Sequence, residues 1–325
     1  VFFLFWLVVV GLRFGVVAFW GSIMLGMLEI TLIAVNEVVN SRVLVKMSPL
    51  WQKLFMTVGI LIAVFAVRFA LPIVLVSFAA SIDLRSVLQL ALNNPIEYGY
   101  QLHKIAHIID GFGGLFLFMV TLFFYVDKKK TVHWLPLAEK PLSRLDTIPF
   151  SKLGIIALVF TSILYSLPAN ERWVVGAAML AGIGVYSLLH GITLVMERIQ
   201  HQNEIKKQVG WAAFVSFVYL EVLDASFSLD GVVGAFALTN NIVIIMAGLG
   251  IGAIWVRTMT IYMVRNQTLT KYRYLESGAH WAIFALALIM IMKLFGVALP
   301  ELVVGSVGLV FIVSSVVSSI KAAKK

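Results

Sequence analysis

The sequence has no cysteine among its 325 residues. Disulfides, thiolate metal sites and cysteine nucleophiles are therefore excluded. Charge is also scarce: Asp, Glu, Lys and Arg make up 13% of the chain, against about 25% in soluble domains. With 61% hydrophobic residues and a mean hydropathy of +0.99, a water-soluble globular design is excluded. The apolar/polar alternation of a membrane β-barrel is missing. So are a Walker loop, a nucleophile elbow and a zinc-protease helix, and nothing marks the chain as an enzyme. Acids are outnumbered by bases, 16 to 25, for a net charge of +9. In a soluble protein that balance would suggest nucleic acid. Here the bases sit in short loops between apolar runs, so membrane topology accounts for them and no nucleic-acid partner is expected.

What is present is a succession of apolar runs, the signature of an all-α polytopic membrane protein with about nine or ten transmembrane helices. The runs cover about residues 1–20 (interrupted by Arg13), 22–41, 54–80, 100–126, 151–167, 173–196, 210–237, 242–264, 276–295 and 301–320. No cleavable signal is read in the first of them. Alternating the runs across a bilayer brings the basic loops 42–53, 127–150, 197–209 and 265–275 and the basic C-terminus to one side. The positive-inside rule makes that side cytoplasmic, so the expected location is the cytoplasmic membrane, in multi-pass form.

Within one apolar run lies Glu221-Val-Leu-Asp224-Ala-Ser226-Phe-Ser228-Leu-Asp230-Gly231. An ionisable group at membrane depth costs about 2.5–3.5 kcal/mol even on insertion scales, so three acids together point to function. Glu221, Asp224 and Ser228 fall on one helix face. Asp230 lies about 240° round from Asp224 and joins that face only if the helix unwinds near Ser228–Gly231, where Gly231 permits it. Oxygen ligands at a broken membrane helix suit a hard cation.

A second copy of this pattern runs in the opposite sense. Glu29-Ile-Thr-Leu-Ile33-Ala-Val35-Asn36 aligns with Asp224 to Gly231, and Gly59…Arg68 aligns with Gly248…Arg257, glycine and arginine nine residues apart in both. The expected layout of the single transmembrane domain, 1–325, is then a first inverted three-helix repeat at 22–126 and a cytoplasmic loop with connecting helices at 127–209. A second repeat at 210–296 and a last helix with a basic tail at 297–325 complete it. Such inverted repeats mark alternating-access transporters, which bind substrate between the repeats. On an unbroken first-repeat helix Glu29, Asn36 and Asn40 share a face, and Glu37 sits about 80° away from Glu29.

Those residues also carry a resemblance. Glu221 to Gly231, Gly248-Leu-Gly-Ile-Gly252, Arg257 and Tyr274-Leu-Glu-Ser-Gly-Ala-His280 resemble the TerC family of membrane proteins, in particular its larger branch, long catalogued as a domain of unknown function. Leu28-Glu29, Val38-Val39-Asn40, Lys46-Met47-Ser48-Pro49, Gly59, Arg68 and Phe112-Gly113-Gly114 fit as well, so the likeness spans about residues 22–296. The resemblance implies a LysE/TerC-like fold, an association with tellurium resistance and, for some members, manganese export. One departure stands out. The family's first-repeat Ser-x-Asp-Asn is here Ile33-Ala-Val35-Asn36, so that aspartate is missing and Glu37 is the candidate replacement.

The expected cation ligands are thus Glu29, Asn36, Glu37, Asn40, Glu221, Asp224, Ser228 and Asp230, with Arg68 and Arg257 balancing the acid when the site is empty. Manganese would be cargo, and no cofactor is expected. The competing expectation makes the acids structural partners of the two arginines, in a membrane scaffold that docks cytoplasmic resistance proteins through 127–150 and transports nothing. His103, His107 and Asp110 share a metal-like i, i+4, i+7 spacing, but interfacial polar residues are common at such a place. His190 and His280 are read as core packing.

Overall fold

The computed structural model describes the chain outside residues 1, 201–206, 240–241, 298 and 324–325. Side chains at 2–6, 14, 17, 28, 32–34, 196–200, 230, 237–238, 242–243 and 301–302 also lie outside that description. The C-terminal Lys324 and Lys325 are therefore not among the described residues.

The long helices follow the apolar runs, except that the first break falls at Gly15 (φ 90°) and not near residue 21, and the second helix continues to Lys46. They are α1 (Phe2–Phe14), α2 (Val16–Lys46), α7 (Ala106–Val126), α9 (Ser151–Ser166), α10 (Arg172–Gln200), α11 (Gly210–Leu238), α12 (Ile242–Arg265), α14 (Leu275–Lys293) and α15 (Glu301–Ala323). Between α2 and α7 a single span, Pro49–Ala80, is built from α3 (Pro49–Leu61), a π-helical stretch (Ile62–Ala70) and α4 (Leu71–Ala80). Among the described residues seven helices are long and apolar enough to cross a membrane, or up to nine if each of two bent pairs is one span. The chain is an all-α, multi-pass membrane-type protein. At 13 residues α1 falls short of the roughly 20 that a span requires.

The polar stretch before α7 folds as two short helices, α5 (Leu84–Asn93) and α6 (Pro95–Lys104), and a single turn, α13 (Thr268–Lys271), lies between α12 and α14. Asp83 caps the first by accepting from the Arg85 and Ser86 amides, and Asn94 caps the second by accepting from the Glu97 amide. The chain turns at Ile105 (φ −98°, ψ 1°), so α7 begins later than its apolar run suggests. That turn also separates His103, which is exposed, from the buried Asp110, and the three-residue metal spacing does not survive it.

The 127–150 segment is more ordered than its polar composition implies. It contains α8 (Pro136–Arg144), and Glu139 on that helix is fully buried. Its carboxylate accepts from Lys130 Nζ (2.8 Å), the Trp134 and Leu135 amides (3.2 Å each) and Trp281 Nε1 on α14 (3.0 Å). Lys130 lies 4.3 Å above both the Phe124 and Tyr125 rings, and burial lowers its pKa despite the Glu139 carboxylate. A second tie is the ion pair of Arg42, near the end of α2, with Glu276 in the first turn of α14. On the same end the Gln208 amide donates to Lys46 O at 2.8 Å, and the Ser48 amide donates to Gln208 O at 3.0 Å.

Two packing groups meet at α2. In one, α7 lies between α10 and α14, whose side chains fill the space left by Gly111, Gly113 and Gly114. In the other, α2 lies along α12 and the π-helical stretch lies against α11 and α12. Close approach there depends on glycine. A Cβ at Gly59 would sit 2.7 Å from Glu221 Oε1 and 2.8 Å from Arg257 Nη1, and Gly26 and Gly248 lie against each other, 3.3 Å from the Gly26 Cβ position to Gly248 O. Hence Gly59→Ala is expected to destabilise by about 1–3 kcal/mol, because the added methyl meets an ion pair that has nowhere to go. Gly154→Ala, where a Cβ meets nothing within 4 Å, is the matched control and should be neutral or stabilising. Thermal unfolding of the detergent-solubilised variants checks the pair, and equal midpoints would remove the tight contact at Gly59.

Candidate functional site

The acidic stretch of α11 faces two arginines from other helices. Arg257 on α12 grips Glu221 with a two-pronged contact, Nη1 to Oε1 at 2.8 Å and Nη2 to Oε2 at 3.0 Å. Its Nη2 also reaches Asp224 Oδ2 at 3.3 Å. The Phe55 ring, 4.0 Å from the guanidinium carbon, closes one side. Arg68, in the π-helical stretch, donates through Nε to Glu29 Oε1 at 2.9 Å and through Nη2 to the same oxygen. Its Nη1 donates to Ala63 O at 2.8 Å and lies 3.7 Å from Asp224 Oδ2. Asp224 is therefore shared between both arginines. Arg257 is 1% exposed and Asp224 2%.

Local geometry explains how Arg68 arrives there. Leu71 donates to Ala66 O, five residues back, and Pro72 has no N–H to continue an ordinary helical ladder. The wider turn shifts the register of the helix, and π segments of this kind concentrate at functional sites. The aligned positions of the two copies behave alike. Arg68 pairs with Glu29, and Arg257 pairs with Asp224, the residue aligned with Glu29.

Helix α2 supplies the rest. It bends by 60° between Ala18–Thr31 and Val35–Lys46, beside Glu29 and Asn36. Asn36, Glu37 and Asn40 are all buried, at 0%, 1% and 0% exposure. Asn40 Nδ2 donates to Glu37 Oε1 at 3.3 Å, and Glu37 lies within electrostatic reach of Arg257, Asp224 and Glu221. Ser228 Oγ donates to Glu29 Oε1 at 3.4 Å. Four acceptor oxygens here have no hydrogen-bond partner: Glu29 Oε2, Asn36 Oδ1, Glu37 Oε2 and Asn40 Oδ1. Asn36 Nδ2 is unpaired as well. Native interiors rarely leave such groups unsatisfied, and each costs about 1–3 kcal/mol.

Most of the residues expected from the sequence thus converge, including both arginines, but not in the expected manner. The predicted unwinding of α11 at Ser228–Gly231 does not occur, since α11 is continuous from Gly210 to Leu238. The break lies in α2 instead. Gly231 serves close packing: a Cβ there would lie 3.0 Å from Glu29 Oε2. The Asp230 side chain lies outside the described residues. The bend also removes the unbroken helix from which the 80° offset of Glu37 was read. Val35, at the missing aspartate position, faces Gly308 of α15 and Phe227, and a Cβ on Gly308 would come within 2.9 Å of Val35 Cγ2.

Among the described residues no three His, Asp or Glu side chains are grouped as a metal cluster. His190 and His280 are in aromatic packing: His280 stacks on Phe124 with ring centres 3.5 Å apart, and His190 contacts Phe123 and Tyr186. Sequence reasoning missed Phe55 and Glu139. The first is one of 40 aromatic residues, with no spacing signal, and the second is a single acid in a polar segment.

A family model described as a protein of unknown function, DUF475, matches residues 34–325. No curated protein and no solved structure matches the chain.

Removing one member of a buried ion pair strands the other and costs about 3–5 kcal/mol. Arg257→Met is expected to destabilise on that scale. Adding Glu221→Gln should recover part of the loss, so that the double variant is less damaged than the sum of the singles. Unfolding midpoints of the four proteins measure the coupling, and strict additivity would mean that the pair contributes nothing beyond its separate members.

Proposed function

The chain belongs to the DUF475 family of proteins of unknown function, and from the chemistry of the buried cluster we propose that it is a membrane transporter for a hard divalent cation. The carrying observation is the set of unpaired buried oxygens on the bent α2: Glu29 Oε2, Asn36 Oδ1, Glu37 Oε2 and Asn40 Oδ1. Carboxylate and amide oxygens without sulfur or imidazole suit Mn, Mg or Ca. Charge points the same way. Four described carboxylates, Glu29, Glu37, Glu221 and Asp224, face two guanidiniums, Arg68 and Arg257. A bound dication would neutralise the difference, whereas an anion would increase the imbalance.

The proposed ligand set shifts weight towards α2. Asn36, Glu37, Asn40 and the free oxygen of Glu29 hold the ion, with Asp224 and Ser228 joining from α11 as the arginines rearrange. Glu37 takes the role of the missing first-repeat aspartate. Arg68 and Arg257 hold the acids in the empty state. The bend in α2 is in keeping with transporters whose broken helices carry the substrate site. The resemblance to the TerC family favours manganese as the cargo and export from the cytoplasm as the direction. Tellurite is an anion that this acidic cluster repels, so any tellurium resistance is indirect.

A second reading keeps the chain as a scaffold without transport. It is favoured by the engagement of Glu221 and Asp224 with the arginines, and by the absence of a three-acid metal group among the described residues. Manganese binding separates the two. Glu37→Gln and Asn36→Leu should each weaken Mn²⁺ binding by about ten- to a hundredfold, or about 1–3 kcal/mol, with the fold intact. Glu221→Gln should act chiefly on stability. Calorimetric titration of Mn²⁺ and its uptake into inverted membrane vesicles are the measurements. Wild-type protein that neither binds nor moves Mn²⁺, Mg²⁺ or Ca²⁺ would leave the scaffold reading in possession.

A further inference from the structure

A cavity of about 400 Å³ lies between α7, α9 and α10, at the end of the bundle that carries the 127–150 segment. That volume is in the range of small-ligand sites, which are mostly apolar with a few polar groups to fix orientation. Its depth is apolar. Met119 and Ile156 are buried there, and Phe123 and Ile183 complete the wall. The space exists because α9 is loosely held: of its 16 residues, Ile156 and Ile163 are the buried ones.

The turn into α9 builds the mouth. The Pro136–Thr147 segment meets Ser151–Ser166 at 112°. With α9 crossing a membrane, α8 then runs close to the membrane plane and the turn between them lies at the boundary. Ile148 and Phe150 on this turn are 54% and 82% exposed, and both line the cavity. Phe150 holds φ 60° and ψ 8°, a left-handed conformation that a bulky side chain rarely adopts. Two bonds fix it there: Ser151 Oγ donates to Leu145 O at 2.6 Å, and the Gly154 amide donates to Phe150 O at 2.8 Å. The turn thus presents exposed apolar groups that continue into the outward face of α9 at Leu153 and Leu158, and a patch of this kind belongs in hydrocarbon. Charge at the mouth comes as a pair. Lys152 Nζ lies 2.8 Å from Asp146 Oδ1, and both side chains remain more than a quarter exposed.

We propose that this cavity binds one zwitterionic phospholipid of the phosphoethanolamine type, an acyl chain between Met119, Ile156 and Ile183 and its head at the Asp146–Lys152 pair. Lys152 meets the phosphodiester and Asp146 meets the ammonium, so two opposite charges face two opposite charges through charge-assisted hydrogen bonds. The position selects a lipid as the occupant: the cavity is apolar in its depth, ionic at its rim and open beside an outward-facing helix at the membrane boundary. A chain bound there fills the gap between the loosely held α9 and the buried α7. This inference stands apart from cation transport and survives its failure.

The test uses the full-length protein in a neutral detergent. It is titrated with phosphatidylethanolamine and, separately, with phosphatidylglycerol of the same acyl chains, and bound lipid is counted by native mass spectrometry. Ile183→Trp fills the cavity, and Asp146→Asn and Lys152→Gln alter the mouth without touching the buried wall. Leu180→Trp, at an exposed position of α10 outside the cavity lining, is the control. The expected result is one phosphatidylethanolamine retained per chain, about tenfold tighter than phosphatidylglycerol. Its affinity should fall about tenfold in Ile183→Trp and in Lys152→Gln but not in Leu180→Trp, and Asp146→Asn should erase the preference between the two lipids. No one-to-one retention, equal retention of both lipids by the wild type, or a loss in Leu180→Trp as large as in Ile183→Trp overturns the proposal. Should Ile183→Trp fail to fold, Asp146→Asn decides alone, and an unchanged preference for phosphatidylethanolamine overturns it.

Discussion

Two guanidiniums placed among four carboxylates in an apolar bundle set the terms for the rest of this structure. Arg68 and Arg257 are tied to Glu29, Glu221 and Asp224 at distances of 2.8–3.7 Å, and almost none of this surface reaches the outside. Charges so buried demand partners with good geometry, because the desolvation penalty of each is several kcal/mol. That demand accounts for the glycines at Gly59, Gly231 and Gly252, where a Cβ would intrude on Glu221, Arg257 or Glu29. It accounts also for the Phe55 ring against the Arg257 guanidinium. The close packing is a consequence of the charges as much as of helix shape.

The network is incomplete in a particular way. Arg68 holds Glu29 on the first half of α2, Arg257 holds Glu221 on α11, and Asp224 is divided between them. Beyond the 60° bend, Asn36, Glu37 and Asn40 have few partners of their own apart from the Asn40–Glu37 contact. Burial without partners is disfavoured on every scale, so these oxygens are the part of the cluster with most to gain from a ligand. The asymmetry agrees with the residue pattern of the first copy, in which Val35 replaces an acid and Glu37 supplies one. In the folded chain Val35 packs against α15 and Glu37 joins the charges.

The helices and the cluster were largely legible in the sequence because membrane burial makes composition speak loudly. An apolar run of about 20 residues has few alternatives to a helix, and Glu221, Asp224, Arg68 and Arg257 stand out against that background. The glycine–arginine spacing located both guanidiniums. What could not be read was local backbone geometry. The bend sits in α2, whose sequence near 32–34 has no proline or glycine, and the π-helical register of Ile62–Ala70 depends on Pro72 together with the packing around it. Gly231 suggested an unwound α11, but a glycine permits close approach as readily as unwinding, and here Glu29 occupies the space. Polar segments were underestimated for a related reason. Short helices such as α5, α6 and α8 announce themselves through caps and single buried groups such as Glu139, not through periodicity.

The ties at the basic end bear on how much of the cluster can move. Glu139 joins the 130–139 segment to Trp281 of α14, and Arg42 with Glu276 joins α2 to the same helix. Both contacts lie on the Val35–Lys46 half of α2 or on the helix it is tied to, so this half is anchored to α14. The Ala18–Thr31 half lies instead against α12, through Gly26, Gly248 and Gly252. The bend thus separates two attachments, one to each packing group of the fold. Any relative movement of the groups must pass through the residues between them, where Glu29 lies on one side and Asn36 and Glu37 on the other. A ligand shared across that bend would be made or broken by the movement itself, which is the physical link that a transport cycle requires.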